Sequence, residues 1–147
     1  MKRIRNFVLF FVAFTLLYAC RREGHSDITI VNHSDRSISV QEQYPGNPES
    51  EFIPLFRCGN GATRILPNSQ LIIPNEDGPP GLGGVWESYF KRNKYLQFLI
   101  MDFDIYWEYH SKPCDIIRKC VPILHVYRLT LEDLERMDWK VVYPPVE

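Results

Sequence analysis

Ile28-Thr29-Ile30-Val31-Asn32-His33-Ser34-Asp35-Arg36-Ser37-Ile38-Ser39-Val40 is the stretch on which the fold reading turns. Ile28 and Ile30 alternate with Thr29 and Val31, and Ile38 and Val40 alternate with serines. A period of two sends successive side chains to opposite faces of an extended strand. The polar run His33-Ser34-Asp35-Arg36 between the two segments predicts a turn, and the whole reads as a β-hairpin.

Downstream, Pro45-Gly46-Asn47-Pro48 breaks the pattern, and 52–73 holds two short apolar runs around Cys58-Gly59-Asn60-Gly61, both expected as strands. Asn75 to Gly84 is read as a long loop, with Gly78, Gly81, Gly83 and Gly84 around Pro79-Pro80. It is no phosphate loop, because no Lys-Ser or Lys-Thr follows and the prolines lack amide donors. Trp86, Tyr89 and Phe90 recur at i, i+3 and i+4, one face of a short helix. Tyr95 to Met101 is apolar apart from Gln97 and runs into Asp102-Phe103-Asp104, as expected for a central strand whose end reaches water.

A short helix over 115–119 is expected to stop before Pro122, followed by a strand over 123–128 with Leu124 and Val126 on one face. Thr130 with Asp133 three residues on reads as a helix start, with Leu129 placed to staple onto Leu134. That helix should reach about Met137, and a last strand from Trp139 to Tyr143 should end at Pro144-Pro145. The sum is a single α+β domain over 27–147, with a mainly antiparallel sheet, a sandwich being one arrangement of it, and two or three short helices. The expected core is Ile28, Ile30, Ile38, Val40, Trp86, Phe90, Phe98, Leu99, Ile100, Leu124, Val126, Leu134 and Trp139.

At 147 residues, with 17 Lys+Arg against 18 Asp+Glu, the chain is too short for a multidomain enzyme and has no electrostatic footprint for nucleic acid. Its N-terminus carries Lys2, Arg3 and Arg5 and then an uncharged, largely apolar run from Phe7 to Tyr18. Those twelve residues are too few to span a bilayer, which needs roughly 20, and fit the n-region and h-region of a secretory signal. Leu17-Tyr18-Ala19-Cys20 resembles a bacterial lipobox, in which Cys20 is lipidated before cleavage; Tyr18 departs from the small residue usual there. The expected layout is a signal peptide over 1–19, a tether over 20–26 and the domain over 27–147. Losing three cations with the signal takes the net charge from −1 to −4. The tether Arg21-Arg22-Glu23-Gly24 lacks the acidic run often associated with surface export, so the periplasmic side of an outer membrane is favoured over the cell surface.

Tyr127-Arg128-Leu129-Thr130-Leu131-Glu132-Asp133-Leu134, then Trp139 and Tyr143-Pro144, resemble the C-terminal signature of small uncharacterised lipoproteins of the Bacteroidota type. Ile28-Thr29-Ile30-Val31-Asn32-His33-Ser34 is similar to the start of their mature domains. The likeness implies a compartment and a domain extent. It implies no site residues, and Cys58, Cys114 and Cys120 depart from its pattern.

Those three cysteines are an odd number in an exported protein, so one thiol should be left over. Cys114 and Cys120 on one helical segment would lie about 9 Å apart along its axis, too far to bridge. Cys58 is therefore the better partner for Cys114 or Cys120, with three buried thiols as the alternative. His110, Cys114, Cys120 and His125 are zinc-ligand types at a spacing that matches no zinc module. His25 and His33 read as solvated turn residues. Asp102, Asp104 and Glu108 form the one carboxylate group next to aromatics, and Asp102 and Asp104 would share one side of a strand. Tyr106, Trp107 and Tyr109 beside them could form an exposed platform for a sugar or protein. The candidate contact residues are thus Trp107, Tyr109, Asp102 and Asp104. The expected function is a membrane-anchored, non-enzymatic binding or structural module with no cofactor, held to the bilayer through Cys20 and facing an envelope protein or glycan. A small glycan hydrolase using the carboxylates is the alternative.

Overall fold

The computed structural model describes residues 24–43, 58, 61–76 and 83–145. The readings made on the signal and lipobox, on the tether before Gly24, on Pro45-Gly46-Asn47-Pro48, on the apolar run before Cys58 and on the middle of the glycine-rich loop lie outside them. Among the described residues, seven strands form two mostly antiparallel sheets, and four short helices complete an α+β fold. The strands are β1 (Asp27–Asn32), β2 (Ile38–Gln43), β3 (Thr63–Ile65), β4 (Ser69–Pro74), β5 (Leu96–Asp102), β6 (Ile123–Leu129) and β7 (Lys140–Tyr143). The helices are α1 (Trp86–Phe90), α2 (Phe103–Tyr109), α3 (Cys114–Cys120) and α4 (Leu131–Arg136). One sheet has the order β4-β1-β7 and the other β3-β2-β5-β6. Among the described residues, only β1 and β7 pair in parallel.

The expected hairpin does not form. β1 pairs with β4 and β7, whereas β2 pairs with β3 and β5, so the chain over 33–37 passes from one sheet to the other as an arch. Residues 66–68 make a second arch from β3 to β4, with Asn68 at φ 51, a left-handed conformation that asparagine tolerates. Asn32 joins the two arches. Its buried Nδ2 donates to the carbonyls of Arg36 (2.8 Å), Leu66 (3.0 Å) and Ile65 (3.3 Å). Its Oδ1 accepts from the Ser34 N–H (3.0 Å) and hydroxyl (2.6 Å). Period-two alternation is the same for a hairpin and an arch. The choice is made by these bonds to residues more than thirty positions away.

The space between the sheets is filled from both sides. Ile28 and Ile30 of β1 and Val141 of β7 meet Ile38 and Val40 of β2 and Leu96, Phe98 and Ile100 of β5. Trp86 and Tyr89 of α1 and Leu134 of α4 close one end, and Trp86 is fully buried. β5 is buried over six of its seven residues, as expected of a central strand. On its other face Leu99, Met101 and Gln97 are also buried, and Gln97 donates to Gln43 (2.7 Å), which donates to Gln41 (3.2 Å). One assignment in β6 changes. The register shifts between Ile100 and Met101, where Ile100 pairs with His125 and Met101 with Ile123. The extra residue, Leu124, packs on the main core, while Val126 lies opposite Leu99 and outside that cluster.

The start of α4 has the expected chemistry in full. Thr130 Oγ1 accepts from the Asp133 N–H (3.2 Å), and the Asp133 carboxylate accepts from the Thr130 N–H (2.9 Å) and hydroxyl (2.8 Å). Those bonds from Thr130, backbone first, with Arg136 beside it, hold the Asp133 carboxyl below its ordinary value. A carboxyl whose folded pKa is depressed stabilises the fold fully above the unfolded value and loses that stabilisation as pH falls through the folded one. Thr130→Ala should therefore cost about 1 kcal/mol at neutral pH in urea unfolding, with the deficit shrinking on acidification below about pH 4.

Candidate functional site

β5 ends and α2 begins at Asp102. Its carboxylate accepts from the N–H groups of Asp104 (3.0 Å) and Ile105 (3.2 Å), and Arg36 Nη1 lies 3.6 Å away. Asp102 is thus the helix cap, its oxygens engaged with backbone and guanidinium. The shared strand face expected for Asp102 and Asp104 is corrected accordingly: Asp104 already lies in α2 and is exposed, as is Glu108 one turn on. The three acids do not converge across a cleft as two-carboxylate chemistry would require.

The aromatics divide. Tyr106 is buried with Met101, Ile117 and Val121 in a second, smaller cluster, and Tyr109 packs half-buried against it. Tyr109 is therefore part of the α2–α3 packing, not of an open platform. The Glu108 carboxylate, then Cys120, hold its phenol above the usual value. Trp107, by contrast, is 60% exposed. It lies in a row of near-parallel rings along α2: Phe103 at 5.9 Å and 20°, His110 at 4.4 Å and 12°. The Arg64 guanidinium sits 4.2 Å from the Phe103 ring centre, and His110 Nδ1 donates to the Trp107 carbonyl (2.6 Å). His110 thus stacks on the Trp107 indole at close range, with the near-parallel Phe103 ring farther off. A sugar stacks on a free ring face, and His110 takes a share of the face available.

Cys58 forms a disulfide with Cys114, tying the segment before β3 to the first turn of α3, and Cys120 is the free thiol. A disulfide sulfur is lost as a zinc ligand, and no group of three or more His, Cys, Asp or Glu among the described residues is arranged to hold a metal ion. A cleft of about 320 Å³ opens between the sheets beside β4, walled by Val40, Glu42, Thr63, Leu71, Ile73 and Pro74.

One constellation escaped the sequence reading. His25 is not simply solvated: its N–H donates to both oxygens of Glu87 (3.0 and 2.9 Å), its Nδ1 lies 2.7 Å from Glu87 Oε1, and its ring stacks on Trp139 at 4.1 Å. Partial burial raises the Glu87 pKa, but the bonds from His25 outweigh it and hold the carboxyl below its ordinary value. Separated by 62 positions, the two residues share no local pattern that announces the contact. Compared with family models, curated proteins and solved structures, the chain matches none of them.

Proposed function

We propose that the chain is an exported lipoprotein, acylated at Cys20 and held on the periplasmic side of the outer membrane, whose domain is a non-enzymatic binding module for another envelope protein. The basic start, the short apolar run and Leu17-Tyr18-Ala19-Cys20 support the anchoring. So does the Cys58–Cys114 disulfide, since such bonds persist in oxidising compartments and are rare in the cytosol. The observation that carries the binding reading is the Trp107 row, a rigid, exposed aromatic held between Phe103 and His110. An ordered aromatic buries much area on docking at little entropic cost. With His110 stacked on the indole, less ring face is left for a sugar, and a protein surface suits the row better than a glycan does.

Two substitutions test the two halves in one experiment. Cys20→Ser should abolish acyl labelling and release the chain from the membrane fraction. Trp107→Ala should leave labelling, fractionation and thermal unfolding unchanged while removing crosslinks to the partner in intact envelopes. Unchanged labelling of Cys20→Ser rejects the anchoring, and undiminished crosslinking of Trp107→Ala rejects the binding surface.

A further inference from the structure

Among the described residues the two sheets have four outer strands, β4 and β7 in one, β3 and β6 in the other. An outer strand presents a row of unpaired main-chain N–H and C=O groups to any chain able to meet it, and charged side chains on it discourage such pairing. Three of the four are guarded. β3 carries exposed Arg64 and β6 exposed Arg128, while β7 carries exposed Lys140 and gives its Val142 carbonyl to the Tyr127 hydroxyl. β4 carries no charge over Ser69–Pro74 and, among the described residues, pairs with β1 alone. Its Ile72 side chain is 56% exposed.

Alternation along β1 decides which groups of β4 face outward. Thr29 N–H bonds to the Trp139 carbonyl (2.9 Å) and His33 N–H to the Tyr143 carbonyl (2.7 Å), so the odd-numbered residues of β1 face β7 and the even-numbered ones face β4. Ile28, Ile30 and Asn32 lie opposite Ile73, Leu71 and Ser69, and the bond from Asn75 N–H to the Ser26 carbonyl (2.7 Å) has the same phase. Gln70 and Ile72 therefore turn both of their main-chain groups away from β1. Pro74, next in that phase, has no N–H to offer, and before Ser69 the chain turns through left-handed Asn68 in the arch. The open edge is thus two residues, with two donors and two acceptors.

An edge of that kind is complementary to itself. Set antiparallel about a two-fold axis at Leu71, Gln70 of each copy meets Ile72 of the other, and the two pairs exchange four N–H···O=C bonds with neither Pro74 drawn in. The two Ile72 side chains then lie diagonally across the seam within reach of each other, and no like charges meet there. Leu71 and Ile73, which wall the cleft between the sheets, gain Leu71 of the second copy beside them. We propose that β4 is a dimer seam, at which two copies of the chain join their three-stranded sheets into one of six strands. One such edge per chain makes the contact isologous, so assembly stops at two. The seam is short, at the small end of protein interfaces, and a dissociation constant of about 10 µM is expected. It uses no residue of the Trp107 row and does not depend on acylation of Cys20.

Cysteine trapping of the full chain in intact cells tests the seam, in a Cys120→Ser background so that the free thiol does not compete. Across the axis the two copies of residue 71 form a non-hydrogen-bonded pair with Cα atoms about 4.5 Å apart, close enough for a disulfide. The two copies of residue 73 are four positions out of step, about 14 Å apart. Mild oxidation should therefore convert most of the Leu71→Cys chain to a species of twice the chain mass, with Ile73→Cys giving at least about fivefold less. Adding Ile72→Lys, which sets two ammonium groups on the seam at an exposed position, should abolish the trapping while the circular dichroism melt stays unchanged, and Gln70→Lys should do the same. A Leu71→Cys chain that stays at single mass, equal trapping of Ile73→Cys, or trapping that survives both lysine substitutions overturns the seam. Capture of Leu71→Cys by a different protein overturns the second copy as its occupant.

Discussion

Asn32→Asp should lower the free energy of unfolding by about 3–5 kcal/mol at neutral pH, as large an effect as truncating a buried core aromatic. The new carboxylate keeps the oxygen that accepts from Ser34 but loses both Nδ2 protons. It then faces the carbonyls of Arg36, Ile65 and Leu66, acceptors against an acceptor with a negative charge in a buried site. Protonating the aspartate restores one donor, so part of the loss should be recovered near pH 4. Ser34→Ala removes only the hydroxyl that donates to Asn32 Oδ1, at a half-exposed position, and should cost about 1 kcal/mol. Urea unfolding followed by circular dichroism gives both numbers. A change below about 1 kcal/mol for Asn32→Asp would mean that the two arches stand without their shared side chain.

The second large effect is that of the disulfide. Cys58 and Cys114 are 56 positions apart, and closing a loop of that length in the unfolded chain is worth about 4 kcal/mol. Cys58→Ala together with Cys114→Ala should therefore lower stability by about 2–4 kcal/mol, and a reductant should shift the native protein by a similar amount. The double substitution matters because Cys114→Ala alone would leave Cys58 free to pair with Cys120. The region affected first is the smaller cluster of Met101, Tyr106, Ile117 and Val121, against which Cys58 packs. Equal stability of native and reduced protein would contradict this.

Much of the element inventory was legible in the sequence because it is written in short-range chemistry. The Thr130–Asp133 pair specifies the start of α4, the Trp86–Tyr89–Phe90 spacing specifies the buried face of α1, and the apolar run before Asp102 marks β5. What was not legible depends on partners distant in sequence. Thr29 and Ile30 alternate identically whether β1 pairs with β2 or with β4, and it is Asn32, reaching Ile65 and Leu66, that sets the two strands in different sheets. The displaced face of Val126 follows from a one-residue register shift at Leu124, which alternation alone does not reveal. At the candidate site the sequence grouped Asp102, Asp104, Trp107 and Tyr109 correctly along one stretch but not by role. Asp102 caps a helix and Tyr109 packs beneath it, leaving Trp107 alone of the four as an exposed aromatic.

The most direct test of the account is the intact mass of the native protein, extracted from membranes with its thiols alkylated before any reduction. The prediction is a chain that begins at Cys20, carries acyl chains on that residue, and has one alkylated thiol, at Cys120, with Cys58 and Cys114 joined. A chain that still begins at Met1, lacks acyl mass or takes up alkylating reagent at Cys58 and Cys114 would contradict it.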